Sequence, residues 1–107
     1  MSRPATPRHG HAPVPLRLVA DEDAIERLGD FCWEQGADSV PTHVWLAIPS
    51  PTCGGWTPIR IAVNRGPNLP GKAWGWDGNA DKPTLTPSVH TYGHWHGWVR
   101  GGQLVEA

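Results

Sequence analysis

Two periodicities divide the chain. Between residues 22 and 35, in EDAIERLGDFCWEQ, the apolar residues Ile25, Leu28 and Cys32 recur at three- and four-residue spacing with Phe31 beside them. Glu22, Glu26 and Asp30 lie off that stripe. This spacing predicts an amphipathic helix, capped by Asp21 or Asp23 and ended by Gly36. From Pro41 the period drops to two. HVWLAIP sets Val44, Leu46 and Ile48 against His43, Trp45 and Ala47, and TPIRIAV alternates Ile59, Ile61 and Val63 with Arg60 and Ala62. Both read as strands, joined by the loop SPTCGG. Ala73–Trp76 and Thr84–His90 are shorter strand candidates around the turn DGNADKP.

The sharpest local signal is HWHGWVR-GG-QLVEA. Gly101-Gly102 supplies the positive φ angles of a two-residue hairpin, which sets Arg100 opposite Gln103, Val99 opposite Leu104 and Trp98 opposite Val105. Trp95, Val99 and Leu104 then share one face, and His94, His96, Trp98 and Val105 the other. The predicted fold class is α+β: an N-terminal amphipathic helix packed on a small antiparallel sheet or partly closed barrel of five to six strands. A Pro-rich arm over residues 1–15 precedes a single domain over residues 16–107. Trp45, Ile48, Ile59, Ile61, Leu85, Val99 and Leu104 are the expected core.

Composition supports a turn-rich domain, since 13 Gly and 12 Pro stand among 107 residues. A formal charge of −1 lacks the basic footprint that phosphate recognition requires, so nucleic acid is not an expected partner. No apolar run is long enough for a membrane span. The first residues carry no apolar core of a secretory signal, and two cysteines then favour free thiols.

The chemistry-bearing residues concentrate in residues 74–98, which hold four of the seven tryptophans and three of the six histidines. Their bland reading is core packing, because a chain with one Phe and one Tyr must fill its interior with Trp. Three functional readings compete with it. Trp74, Trp76, Asp77, Asn79, His94, His96 and Trp98 form a candidate binding surface for a protein partner. His94 and His96, at i and i+2 on a strand, would offer two imidazoles to zinc, with His90, His43 or Cys53 as a third ligand. Trp74 and Trp76, with Asp77 and Asn79, would stack a sugar ring. The Asp77, Asn79, Asp81 alternation lacks the glycine placement and closing Glu of a calcium loop. Ser88 lies near His90 and His94, yet no nucleophile motif surrounds it and the acids cluster in the predicted helix. No catalytic residue is expected on these grounds, and no cofactor; the reading leans away from an enzyme.

The elements WGWDGNADKPTLTPSV and WHGWVRGGQLVEA resemble a family of small proteins encoded by tailed phages and bacterial prophages. The likeness spans about residues 43–105, with PTLTPS and WHGWVRGG as its specific parts. It implies a phage or prophage origin and a shared fold, and supplies no activity. The leading expectation is a non-enzymatic phage accessory or binding protein, attached to the virion or acting on a host protein. The expected partners are then a virion component, a host protein or a second copy of the chain, in the host cytoplasm or the particle. A metal-binding domain or metal-dependent hydrolase centred on His94 and His96 is the alternative, and a carbohydrate-binding module the further one.

Overall fold

The computed structural model describes residues 13–36, 38–50, 55–65, 73–91 and 95–107. Ten strands follow one another: β1 (Val14–Pro15), β2 (Arg17–Leu18), β3 (Asp30–Gln35), β4 (Pro41–Ser50), β5 (Gly55–Arg65), β6 (Trp74–Trp76), β7 (Leu85–Thr86), β8 (Val89–Thr91), β9 (Trp95–Arg100) and β10 (Gln103–Glu106). They form a four-stranded sheet, β1-β10-β9-β8, and a six-stranded sheet, β2-β3-β4-β5-β6-β7. Strands account for 61% of the described residues and helical turns for 4%, so the expected α+β class is corrected to nearly all β. The larger sheet is mixed, because β2 pairs with β3 and β5 with β6 in parallel. No helix among the described residues is long and apolar enough to cross a membrane.

The helix predicted over 22–35 is the main correction. Only Glu22–Ala24 turns, as a short 3₁₀ segment whose Ala24 N–H donates to the Asp21 carboxylate at 3.1 Å. Gly29 then takes φ +91°, Asp30 N–H donates to Arg27 O, and the chain leaves as β3. Helical spacing loses here to pairing at long range: Phe31 sits opposite Leu46 and Trp33 opposite Val44 in the antiparallel ladder. Ile25 and Cys32 still meet in one small apolar cluster with Ala47, but across the sheet's second face and through a turn. Cys32 is a buried free thiol, and burial together with the nearby acids Glu22 and Asp21 pushes its pKa up.

The strand predictions for 43–48 and 59–63 hold as an antiparallel pair running from His43 opposite Ala62 to Ser50 opposite Gly55. Alternation sends Val44, Leu46, Ile48, Ile61 and Val63 into the space between the sheets. There they meet Phe31, Trp76 and Leu85 from the larger sheet and Val89, Trp95, Val99 and Leu104 from the smaller. Of the expected core, Ile48, Ile61, Leu85, Val99 and Leu104 are buried there, Ile59 packs at its edge, and Trp45 lies on the other face. The Gly101-Gly102 hairpin has the predicted register, Arg100 with Gln103, Val99 with Leu104 and Trp98 with Val105. Both glycines have positive φ. Of the Pro-rich arm, Val14–Pro15 is β1 on the edge of the smaller sheet, and residues 1–12 lie outside the described residues.

Candidate functional site

The turn DGNADKP is held by its own polar side chains. Asp77 Oδ1 accepts the N–H of Asn79 at 3.0 Å and of Thr84 at 3.3 Å, and Asn79 Oδ1 accepts those of Asp81 and Lys82 at 3.0 and 2.9 Å. Carboxylate and amide oxygens that satisfy backbone donors in this way shape a turn. Trp76 is buried beneath it, donates to Asn79 O at 3.1 Å and packs at 4.5 Å on Trp33, which donates to Ala80 O. The aromatic pair therefore roofs the core at this end.

Trp74 is half-buried, and its indole N–H donates to the carbonyl of Ser88 at 3.3 Å. That contact ties the larger sheet to the segment where the chain crosses over. Leu85–Thr86 pairs with β6, the Thr86–Pro87 peptide is cis, and Val89 begins the edge strand of the smaller sheet. Ser88 sits between the two sheets' edge strands, fixed from both sides.

On β8 and β9, Val89 faces Gly97, His90 faces His96 and Thr91 faces Trp95. Trp95, Gly97 and Val99 point inward, so His96, Trp98 and Arg100 point outward. Ser88 Oγ lies 2.9 Å from His96 Nε2 on that outer face. The His90 ring stacks on the His96 ring, centroids 4.9 Å apart and tilted by 39°, which restricts how the imidazole can turn. Thr91 Oγ1 donates to Trp95 O at 3.2 Å and accepts Trp95 N–H at 3.0 Å, locking the register that aligns the two histidines.

Gly97 is required at the centre of this arrangement. A Cβ there would run into the Trp95 indole and lie 2.7 Å from Val105 O. Gly97→Ala is expected to cost about 1–3 kcal/mol in urea denaturation, as overpacking does. An unchanged midpoint would show that Trp95 can move aside.

His96 lies on the outer face of β9, as the hairpin register predicts. Among the described residues no cluster of three or more His, Cys, Asp or Glu side chains is placed to hold a metal; His94 and Cys53 lie outside them. Ser88 is near His90 and His94 in sequence, but the histidine its hydroxyl meets is His96, eight residues on and on the neighbouring strand. A cavity of about 220 Å³ lined by Val14, Leu28, Pro49, Trp95, Leu104 and Glu106 opens on the inner side of the smaller sheet, away from Ser88.

A family model described as "Bacterial ubiquitination-like system serine protease (BubE)" matches residues 26–107. The chain belongs to the BubE family. Membership overturns the expectation of a non-enzymatic phage or virion accessory protein. It places the chain in a family named for a bacterial ubiquitination-like system, whose partners are proteins. Searches of curated proteins and of solved structures matched none.

Proposed function

We propose that the chain is a serine protease in which Ser88 is the nucleophile and His96 its general base. One observation carries this reading: the 2.9 Å contact from Ser88 Oγ to His96 Nε2, in a chain whose family is described by serine protease chemistry. With the ring proton on Nδ1, Nε2 accepts from the Ser88 hydroxyl. A base within hydrogen-bond reach is what activates an otherwise weak nucleophile. Oγ attacks the carbonyl carbon of a peptide or isopeptide bond while its proton passes to Nε2. The tetrahedral species collapses, the C–N bond breaks, and His96 gives that proton to the leaving amine. Water then attacks the acyl-serine with His96 again as base, releasing the carboxylate product and restoring the Ser88 hydroxyl.

The surroundings suit this role. Trp74 fixes the Ser88 backbone and His90 the His96 ring, so the pair is held before substrate arrives. Among the described residues β8 is the outermost strand of its sheet, which offers an extended protein segment an edge beside Ser88. The substrate class is a protein of the ubiquitination-like system, cut within its modifier or at the bond that joins modifier to target. Cys32, buried with its thiol pKa raised, is no competitor for the nucleophile.

The test is covalent labelling. A fluorophosphonate should modify the native chain once, with the adduct mapped to Ser88 by peptide mass spectrometry, and His96→Ala should slow labelling at least about a hundredfold. Labelling confined to another serine, or none, would exclude Ser88 as the nucleophile.

A further inference from the structure

We propose that Arg100, laid on the Trp98 indole beside the nucleophile, selects substrates with an acidic side chain two or three residues before the scissile bond. This deepens the serine-protease reading and rests on it. Pairing of Val89 with Gly97 and His90 with His96, continued by one residue, sets Ser88 opposite Trp98. Alternation keeps His90, His96, Trp98 and Arg100 on the face where Ser88 meets His96. One row of side chains thus runs along β9 as base, aromatic platform and cation.

The Arg100 guanidinium carbon lies 4.7 Å from the centre of the Trp98 ring. The contact holds the guanidinium over the ring, and a guanidinium's N–H fork matches a carboxylate through two parallel hydrogen bonds. The other arginines with a settled role serve the fold: Arg17 binds Asp30 and Glu26, and Arg60 binds Glu34. Arg100 is exposed and forms no ion pair with a described residue.

Direction follows from the proton. His96 must reach the leaving amine, so the leaving side lies over His96 and His90 and the acyl side over Trp98 and Arg100. Arg100 stands two residues past Trp98, about 7 Å at the usual strand rise of ~3.4 Å per residue. An extended substrate rises equally, which places the selected side chain two or three positions before the bond. A chain-terminal carboxylate cannot occupy that position, so the ligand is an aspartate or glutamate side chain.

The experiment uses the full chain and quenched peptides that carry a single Glu, or Gln in its place, at each position from four before to three after the bond. Glu at the second or third position before the bond should raise kcat/KM about fivefold over Gln, the upper range for an exposed charge pair. The gain should fade in high salt. Arg100→Glu should invert the preference toward Lys at those same positions. Binding of the matching acyl-product peptides to the Ser88→Ala variant, followed by tryptophan emission, gives the same comparison without turnover. Equal rates and equal affinities for Glu and Gln would overturn the proposal and leave Arg100 as a solvated cover for Trp98, while cleavage of the neutral peptides keeps the protease reading intact. A Glu preference confined to positions after the bond would overturn the assigned direction. Failure of Ser88 to label would remove the protease reading and the proposal together.

Discussion

Replacing Ser88 by Ala is expected to lower kcat/KM on a cleavable protein or peptide by at least about a thousandfold, a loss of about 4 kcal/mol of transition-state stabilisation. The folded state should hardly change. The hydroxyl belongs to a half-buried side chain, and its bond to His96 is a neutral contact at the protein surface, so the variant should unfold within about 1 kcal/mol of the native chain. His96→Ala should cost a similar factor in rate, because a serine without its base and a base without its serine are equally idle. The double variant should then be no slower than either single one, since groups that act as a unit are not additive. Multiplicative losses would mean that the two act separately and that the 2.9 Å contact is structural. An active His96→Ala would transfer the role of base to another group. His90 is the obvious one to test next, given its stacking on the same ring.

The parts of this site differed in how well the sequence declared them. Gly101-Gly102 fixed the β9–β10 hairpin, because two adjacent glycines between alternating strands allow only one register. Once the register was known, so was the outward face of His96 and Trp98. The helix expected over 22–35 failed because helical spacing and a tight turn followed by a strand can share the same apolar positions. Gly29 with positive φ, and the pull of Leu46 and Val44 on Phe31 and Trp33, decided the outcome, and these partners lie 11 to 15 residues away. The seven tryptophans were legible as a group but not singly. Trp76 and Trp95 are buried, while Trp74, closing on the Ser88 carbonyl, has a role that no sequence pattern announces. The proposed catalytic pair was hidden for a similar reason. The motif known for serine hydrolases on a strand-to-helix elbow does not apply to a serine that follows a proline between two sheets. What brings Ser88 to His96 is the pairing of β8 with β9. The His-x-His spacing points along one strand, whereas the Ser88 hydroxyl reaches His96 from the residue that leads into the neighbouring strand.

The largest loss of stability should come from Asp30. Its side chain is fully buried and accepts from Arg17 Nε at 2.8 Å and Nη2 at 2.7 Å. It also accepts the backbone N–H groups of Glu26 at 3.0 Å and Arg27 at 3.2 Å. One carboxylate thus joins β2 to β3 and closes the turn that replaces the expected helix. Asp30→Ala would leave the backbone donors of Glu26 and Arg27 without this acceptor and the partly exposed Arg17 with Glu26 alone, at a cost of about 3 kcal/mol. Against a total of roughly 5–15 kcal/mol for a domain, that is enough to populate the unfolded chain at moderate urea. The same bonds carry a pH signature. Hydrogen bonding to Arg17, reinforced by the two backbone donors, lowers the Asp30 pKa from 3.8 to about 2. A depressed carboxylate stabilises the fold at pH values above its unfolded pKa, and that contribution fades as pH falls from about 4 toward 2. Glu34 is also held near 2, chiefly by Arg60, but it is partly exposed and solvent weakens its share. Urea midpoints should therefore drop steeply between pH 4 and pH 2 in the native chain. In Asp30→Asn, which keeps the side chain's size and loses its charge, they should start lower and fall less. An equally steep acid limb in that variant would assign the titration to Glu34 and leave Asp30 as a packing group whose charge is dispensable.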